Sequence, residues 1–273
     1  MANVLIVGCG DVGSRLALLL ANDDHTVYGV RRSAHVLPNV TMLQADISQP
    51  FSLPIAELDY VYIILSPDSS HQAAYEQTFI DGVNHIRSAL EPYNLKHVFF
   101  VSSTSVYGEE NGEWVDENTP THPYGFNGQV LCAAEQLVQQ YWLSSVVRFG
   151  GIYGEGRLRL IRWVESGKPV NVGQWTNRIH VADAAGLLAF LLKQHQQGRE
   201  LEACYVGVDD YPCLQDEVLD WIAQELDLPQ VAKVQGQGGA NRRISNKRIK
   251  ELGYRFLYPS FREGYGKMLG LDD

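Results

Sequence analysis

A short glycine turn between an apolar strand and a helix start constrains this chain more than any other feature. The apolar run Val4–Val7 leads into Gly8, Gly10 and Gly13, and helical positions follow from Ser14. In this spacing the glycines suit, in turn, a tight turn, the approach of a ligand to the backbone, and the packing of the helix on the strand. The turn brings backbone N–H groups and a helix N-terminus to one point, a geometry that binds phosphate. It predicts a dinucleotide site; the alternative is a glycine-tolerant turn without a ligand.

Composition argues against several classes of protein. The chain has 273 residues, 45% of them hydrophobic, and a formal net charge of −10. A nucleic-acid-binding protein would carry a basic face, so no nucleic-acid partner is expected. No apolar run approaches the roughly 18–20 residues that span a bilayer, so no membrane partner is expected either. The apolar N-terminus is interpreted as a first strand rather than a signal peptide.

The four cysteines are scattered along the chain, as Cys9, Cys132, Cys204 and Cys213, and form no CxxC pair. This spacing argues against a disulfide framework and a zinc site, and it favours a reducing compartment. We therefore expect a cytoplasmic protein without a bound metal.

Short apolar runs alternate with helical patterns over the first two thirds of the chain. The candidate strands are Val4–Val7, Thr26–Val30, Thr41–Leu43, Tyr60–Leu65, His97–Ser102, Ser145–Phe149 and Cys204–Val208. The candidate helices are Ser14–Asn22, Ala182–Gln194 and, roughly, Gln72–Leu90 and Gln129–Tyr141. Runs that are apolar without alternation are typical of parallel strands covered on both faces. The pattern predicts an α/β fold with a doubly wound parallel Rossmann sheet, whose ligands lie beyond the carboxyl ends of the strands.

The pattern loosens after Gly150, and this change predicts two domains. Residues 1–150, with returning elements at about 177–208, are expected to form the dinucleotide-binding Rossmann domain. Residues 151–176 and 209–273 are expected to form a smaller C-terminal lobe for the substrate.

The end of the second predicted strand indicates which dinucleotide is bound. An acidic residue there would bind the adenosine ribose hydroxyls, but this strand runs into Arg31 and Arg32. Because guanidinium groups pair bidentately with phosphate, the arginines favour the 2′-phosphate of NADP over NAD. The alternative is a solvated turn. Asp46 ends the third strand, where it would either accept a hydrogen bond from the adenine amino group or cap the following turn.

Hydroxyl side chains cluster at the end of the fifth predicted strand, in the run Ser102–Gly108, and Pro-Tyr-Gly follows around Tyr124. The motifs Ser-Ser-Thr-Ser-Val-Tyr-Gly and Pro-Tyr-Gly resemble those of the extended short-chain dehydrogenases/reductases, the NAD-dependent epimerase/dehydratase family of nucleotide-sugar enzymes. The likeness continues in Val147–Gly154, Asn177–Asp183 and Leu252–Phe256, so it covers most of the chain in the right order.

The resemblance assigns roles to individual residues. Ser103 matches the family's serine or threonine that holds the substrate oxygen, and Tyr124 matches its acid/base tyrosine, which exchanges a proton during hydride transfer. The implied substrate is a small polar molecule, of which a sugar nucleotide is one type, with Ser103, Thr104 and Arg178 as its contacts. Arg178 would bind an anionic group such as a nucleotide diphosphate, or else pair with a nearby carboxylate. The resemblance also implies a homodimer.

Two further sets of residues are singled out along the chain. The cofactor contacts expected at the first helix, at the strand ends and at the family motifs are Gly8, Gly10, Asp11, Val12, Gly13, Arg31, Arg32, Asp46, Leu65, Ser66, Ser102 and Tyr124. Asp183 stands at the start of an apolar helical pattern and is expected to cap that helix.

Two departures from the family pattern concern catalysis and the glycine turn. The family has a lysine four residues after the tyrosine, and this chain has Gly128. An ammonium group lowers the pKa of a neighbouring phenol from its ordinary value of about 10 and holds the nicotinamide ribose, and a glycine does neither. The turn has Val7 in place of the first glycine of the GxxGxxG pattern usual in nucleotide-sugar epimerases.

These departures resemble the atypical branch of the family and leave two hypotheses open. The chain is either an NAD(P)-dependent enzyme in which another group, such as an arginine or His122, replaces the lysine, or a dinucleotide-binding sensor or interaction protein that has lost hydride chemistry.

Overall fold

The computed structural model describes residues 1–236 and 240–271, which form two compact units. The first unit comprises Met1–Val106, Thr121–Arg148 and Ala185–Tyr205, and the second comprises Tyr107–Pro120, Phe149–Ala184 and the described residues from Val206 onward. The assignment of the substrate to the C-terminal part of the chain stays a prediction.

Strands and helices alternate along the first unit, and shorter strands follow in the second. In the described part of the chain the strands are β1 (Asn3–Val7), β2 (Thr26–Arg31), β3 (Val40–Gln44), β4 (Tyr60–Ile63), β5 (His97–Ser103), β6 (Glu113–Val115), β7 (Ser144–Phe149), β8 (Gly151–Tyr153), β9 (Val170–Asn171), β10 (Trp175–Thr176), β11 (Arg178–His180), β12 (Cys204–Gly207), β13 (Cys213–Leu214), β14 (Lys233–Val234) and β15 (Arg242–Ile244). The α-helices there are α1 (Asp11–Asn22), α2 (Gln72–Glu76), α3 (Gly82–Leu90), α4 (Phe126–Tyr141), α5 (Arg159–Glu165), α6 (Val181–Gln196), α7 (Gln215–Glu225), α8 (Lys247–Leu252) and α9 (Phe261–Leu269). A π turn, Gln77–Asp81, joins α2 to α3, and a 3-10 turn, Thr104–Val106, follows β5.

A seven-stranded sheet forms the centre of the fold, in the order β12-β7-β5-β4-β1-β2-β3. The pairs β1–β2, β1–β4, β2–β3 and β4–β5 are parallel. The sheet strands coincide with the seven apolar runs predicted from the sequence, with ends that differ by up to two residues. The predicted α/β fold with a doubly wound parallel Rossmann sheet is therefore confirmed.

Burial on both faces explains why these strands read as continuous apolar runs. Strands β4 and β7 are buried at every position, and β1 at every position but its first. In the core, the rings of Tyr62 and Phe99 stack with centroids 4.6 Å apart, and the Tyr62 hydroxyl donates to the Leu188 carbonyl oxygen at 3.0 Å. The helical stretch predicted over Gln72–Leu90 is present, but the π turn interrupts it.

The second unit has an apolar core of its own and short strands that pair two by two. The pairs β6–β15, β8–β11 and β9–β14 are parallel, and β10–β13 is antiparallel. The core includes Tyr153, Val218, Ile222, Phe261 and Tyr265. Helix α9, which contributes two of these residues, begins with a complete capping box formed by Ser260 and Glu263.

Asp183 anchors the segment between α8 and α9. Its carboxylate accepts hydrogen bonds from the Tyr254 hydroxyl at 2.9 Å and from the backbone N–H groups of Leu257 and Tyr258 at 2.8 and 2.9 Å. These long-range hydrogen bonds take the place of the helix cap expected from the sequence. The difference arises because the partners of Asp183 lie more than seventy residues away along the chain.

No helix among the described residues is long and apolar enough to cross a membrane. The four cysteines are free thiols, and Cys9 and Cys213 are buried. Burial raises the pKa of the Cys213 thiol to about 11, so it is protonated at neutral pH.

Candidate functional site

A cavity of about 210 Å³ lies at the carboxyl ends of four adjacent strands of the first unit, in the order β4-β1-β2-β3. It is lined by Gly8, Cys9, Gly10, Val30, Arg31, Arg32, Ala45, Asp46, Ile47, Ser48, Ile64, Leu65, Ser66, Asp68, Gln77 and Thr78. The chain runs from β1 outward to β3 and then returns to β4 on the other side of β1. The cavity therefore lies at the topological switch point, where open α/β sheets bind their ligands.

The cavity brings together part of the predicted cofactor-binding set. The residues that line it are Gly8, Gly10, Arg31, Arg32, Asp46, Leu65 and Ser66. The described residues that do not line it are Asp11, Val12, Gly13, Ser102 and Tyr124. The first three of these form the opening turn of α1, next to the lining residue Gly10.

Glycine stands at positions 8, 10 and 13 of the turn for different structural reasons. Gly8 has a φ of +92°, and a Cβ atom there would overlap the carbonyl oxygen of Ile64. A Cβ atom on Gly13 would lie 2.6 Å from the Gly8 carbonyl oxygen, so α1 can approach the turn only with glycine at that position. A Cβ atom on Gly10 would meet no atom within 4 Å. Packing inside the protein therefore does not require glycine at position 10. Gly10 is one of the residues that line the cavity.

Helix α1 presents backbone donors beside this cavity. Its first bond of the i to i−4 type runs from the Ser14 N–H to the Gly10 carbonyl oxygen at 2.8 Å. The N–H groups of Val12 and Gly13 precede that bond, so the helical ladder does not use them. Together with the positive end of the helix dipole, these donors suit an anion such as a pyrophosphate.

Arg31 and Arg32, at the end of β2, have different surroundings. The Arg32 guanidinium forms a bidentate ion pair with the carboxylate of Asp68, which follows β4. This hydrogen-bonded pairing raises the pKa of Arg32 and lowers the pKa of Asp68. The Arg31 side chain also lines the cavity, and it has no hydrogen bond or ion pair with any residue the structure describes. Arg31 is thus the arginine of this pair that is open to an anionic ligand.

Asp46 occupies the position predicted at the end of β3. Its Oδ1 atom accepts a hydrogen bond from the Ser48 N–H at 2.9 Å, closing a local turn. Asp46 also lines the cavity. It therefore closes the local turn, and its contact with adenine stays a prediction.

Among the lining residues that were not predicted as cofactor contacts are Gln77 and Thr78, which the π turn contributes. Such turns recur at functional sites, but the residue pattern of Gln72–Leu90 carries no signal that distinguishes a π turn from regular helix. Asp68 was not predicted either, and its partner Arg32 lies on a different strand end.

Ser102 belongs to a buried network rather than to the cavity lining. Its hydroxyl donates to Glu135 Oε1 at 2.5 Å, and Arg148 donates to both oxygens of the same carboxylate, with Nη2 to Oε2 at 2.6 Å. Glu135 lies on α4 and Arg148 on β7, and both are buried. The network ties the end of β5 to α4 and β7, directly next to Ser103.

The residues expected to act on the substrate follow β5 and precede α4. Ser103 Oγ accepts a hydrogen bond from the Ser105 N–H at 3.2 Å, and Thr104 begins the 3-10 turn. Tyr124 lies two residues before α4 and is 75% exposed. The roles of Ser103, Thr104 and Tyr124 stay predictions.

Gly128 is the point where α4 packs on the turn after β5. A Cβ atom on Gly128 would overlap the carbonyl oxygen of Ser105 and lie 2.5 Å from the Cβ atom of Pro123. The backbone as it stands therefore leaves no room for a lysine at this position. His122, a candidate substitute for that lysine, is exposed.

A second cavity, of about 710 Å³, lies within the second unit and has a cationic lining. Its arginines are Arg157, Arg159, Arg162 and Arg178. Arg178 is 5% exposed and donates to Cys213 Sγ at 2.9 Å and to Thr176 Oγ1 at 2.6 Å. Burial raises the pKa of the neighbouring Asp209 to about 8, so below that pH this carboxyl group does not neutralise the arginines.

Residues 4–207 match the NAD-dependent epimerase/dehydratase family. The chain belongs to this family. The resemblance drawn from the hydroxyl cluster and the Pro-Tyr-Gly motif is therefore confirmed. The match ends within the C-terminal part of the sheet, at the last residue of β12.

Two proteins similar to this chain have more specific descriptions. It is 26% identical over 206 residues to an N-acetyl-alpha-D-glucosaminyl-diphospho-ditrans,octacis-undecaprenol 4-epimerase of Escherichia coli O157:H7, a match that covers 69% of this chain and 62% of that enzyme. The match thus spans less than two thirds of the enzyme's length. A solved structure from Methylobacillus flagellatus, provisionally described as an NAD-dependent epimerase/dehydratase, is 34% identical, with a TM-score of 0.83 over 99% of this chain and 98% of that one.

The fold is also shared with MoeE5, whose structure contains UDP-glucose and NAD. That protein is 22% identical, with a TM-score of 0.81 over 98% of this chain and 97% of its own. At this level of identity the likeness concerns the fold alone.

Proposed function

We propose that this family member binds NADP and acts by hydride transfer on a small polar substrate of the sugar-nucleotide type. The observation that carries the proposal is the cavity across the ends of β4, β1, β2 and β3, next to the Val12 and Gly13 N–H groups, which the helical ladder of α1 does not use. A glycine that the protein's own packing does not require, Gly10, lines this cavity. These features suit a pyrophosphate held against the backbone.

The choice of NADP over NAD rests on Arg31. No acidic residue stands at the end of β2, where NAD-binding sheets bind the ribose hydroxyls. Arg31 lines the cavity and has no partner among the described residues, so it can bind a 2′-phosphate bidentately. Arg32 is the weaker candidate for binding the 2′-phosphate, because its guanidinium is already paired with Asp68.

Ser103 and Tyr124 are proposed to act on the substrate. A bound nicotinamide dinucleotide supplies the group that accepts or donates hydride. Ser103 would hold the substrate oxygen, and the Tyr124 hydroxyl would exchange a proton with it. Because Tyr124 is exposed and lacks the family lysine, its proton would pass to and from water.

A sugar nucleotide is favoured as substrate class because it combines hydroxyl groups with a diphosphate. The second cavity is lined by four arginines, and their positive charge suits a diphosphate group. The name of the Escherichia coli relative describes a diphosphate-linked sugar, and the MoeE5 structure contains a sugar nucleotide. The relative's name supports the class without identifying the compound, and MoeE5 adds that the shared fold can hold a sugar nucleotide.

A second candidate function is dinucleotide binding without turnover, as in a sensor or interaction protein. The observation that favours it is the close packing at Gly128, which closes the place of the family lysine. A lysine introduced there would collide with the Ser105 backbone, so failure of such a variant would say nothing about chemistry. The two candidates are separated instead by turnover of the natural chain on a panel of carbonyl and sugar-nucleotide substrates.

Replacement of Arg31 by aspartate tests the choice of dinucleotide. Because the change removes a charge-assisted contact to the 2′-phosphate and places a carboxylate there, NADPH affinity should fall by about 10- to 100-fold. NADH affinity should change by less than about threefold, since NADH lacks that phosphate. Isothermal titration calorimetry with both dinucleotides measures the difference.

The matched control is Arg255→Asp, which makes the same charge change at an exposed residue of the second unit. Equal losses of NADPH and NADH affinity in the Arg31 variant would contradict the 2′-phosphate contact. If the natural chain bound neither dinucleotide, the proposed function itself would be wrong.

A further inference from the structure

The ion pair between Arg32 and Asp68 forms part of the lining of the proposed dinucleotide cavity. Arg32 follows β2 and Asp68 follows β4, and β1 lies between these two strands in the sheet. Both residues line the cavity together with the glycine turn that ends β1. The pair therefore joins the two strand ends on either side of the turn.

We infer that Asp68 is a specificity-determining residue, which competes with the 2′-phosphate of a dinucleotide for the Arg32 guanidinium. The inference rests on the proposed function, since it assigns a further role within the same cavity. In this arrangement Arg31 binds the phosphate first, and Arg32 contributes only to the extent that the phosphate displaces Asp68. Asp68 thus limits the preference of the site for NADP over NAD.

The charges that line the cavity explain why one carboxylate can have this effect. The charged side chains there are Arg31, Arg32, Asp46 and Asp68, so their formal charges cancel. Neutralising Asp68 would leave one net positive charge and two guanidinium groups on the same strand end. The phosphates that NADPH and NADH share gain equally, and slightly, from the change in net charge. The released guanidinium of Arg32 is available to a 2′-phosphate alone, so it is the change that separates NADPH from NADH.

The ion pair is also placed so that a phosphate could replace the carboxylate. The side chains of Arg32 and Asp68 are 57% and 63% exposed. Exposed ion pairs contribute little to folding stability, so the protein can exchange this one without a structural cost. The guanidinium presents to phosphate the same planar donors that it presents to Asp68.

The test is the Asp68→Asn variant, titrated with NADPH and NADH and with adenosine 2′,5′-bisphosphate and 5′-AMP. The last two probes carry the adenosine half alone, so they report on the 2′-phosphate without the nicotinamide. We expect the affinity for NADPH and for the bisphosphate to rise by about three- to tenfold, and the affinity for NADH and 5′-AMP to change by less than twofold. The gain should shrink at high salt concentration.

A double-mutant cycle shows whether Asp68 acts through Arg32. In an Arg32→Gln background, Asp68→Asn should no longer raise NADPH affinity, because the guanidinium that it releases is gone. Glu251→Gln is the matched charge control, since the Glu251 side chain is exposed and pairs with Lys247 at 3.6 Å in the second unit. It should leave all four affinities unchanged.

Three results would overturn the inference while leaving the proposed function in place. The first is an unchanged NADPH affinity in Asp68→Asn, and the second is an equal rise for NADPH and NADH. The third is a rise of the same size in the Arg32→Gln background, since the carboxylate would then act by general repulsion. Absence of dinucleotide binding by the natural chain would instead overturn the proposed function and the inference with it.

Discussion

Replacing Glu135 by alanine is expected to lower the free energy of unfolding by about 3–5 kcal/mol. The carboxylate is 5% exposed, receives the hydroxyl of Ser102 and holds the guanidinium of Arg148. Its removal leaves a buried arginine without its counter-ion and a buried hydroxyl without its acceptor. Urea denaturation followed by circular dichroism measures the loss as a shift in midpoint at constant slope.

Two further variants separate the charge from the shape of the side chain. Glu135→Gln keeps the volume and one acceptor, so its loss should be smaller than that of alanine. The double variant Glu135→Leu with Arg148→Met removes both charges and should recover most of the stability, because buried ion pairs are often replaceable by apolar residues of similar volume. A loss below about 1 kcal/mol for Glu135→Ala would contradict the role of this network.

Replacing Tyr124 by phenylalanine is expected to reduce kcat/KM by about 10²- to 10⁴-fold on whichever substrate the natural chain turns over. The change removes one hydroxyl group, the proposed proton donor and acceptor. Because Tyr124 is 75% exposed and its hydroxyl has no hydrogen-bond partner among the described residues, stability should stay the same. The substrate is found first by following NADPH absorbance over a panel of carbonyl compounds and by product analysis over a panel of sugar nucleotides.

The control for Tyr124→Phe is Tyr211→Phe, which removes a hydroxyl bound to Glu217 at 3.0 Å on the second unit. It should retain activity within about twofold. An active natural chain whose Tyr124→Phe variant keeps full activity would contradict the assigned role. A natural chain that binds dinucleotide but turns over nothing on either panel would favour the sensor function.

The fold could be predicted from the sequence because strands that are buried on both faces are apolar at consecutive positions. Runs such as Val4–Val7 and Ser145–Phe149 are apolar at consecutive positions, and the structure places both in the covered sheet. The π turn Gln77–Asp81 was not accessible, because its residues have the same apolar spacing as regular helix. Asp183 shows a similar limit, since its partners are set by tertiary packing rather than by its neighbours in the chain.

The candidate site was accessible only where its residues are adjacent in sequence. The glycine turn and the arginines at the end of β2 are local patterns, and both reach the cavity. The pairing of Arg32 with Asp68 joins the ends of β2 and β4, which lie on either side of β1 in the folded sheet, so no spacing in the sequence indicates it. The sequence likewise shows that glycine stands at position 128 where the family has a lysine. It does not show that the Ser105 carbonyl oxygen lies where a Cβ atom of residue 128 would be.

Gly10→Ala tests the central claim, a dinucleotide held against the backbone of the glycine turn, most directly. The residue has a φ of −86° and a ψ of −143°, and a Cβ atom there meets nothing within 4 Å, so packing leaves room for alanine, while the backbone conformation is one that residues with a Cβ atom disfavour. The melting temperature without ligand should therefore fall by a few degrees only, about 2–4 °C for each kcal/mol of backbone strain. A methyl group would, however, occupy the space that a pyrophosphate needs, so NADPH affinity measured by calorimetry should fall by at least about tenfold. NADPH binding to this variant as tight as to the natural chain would contradict the claim.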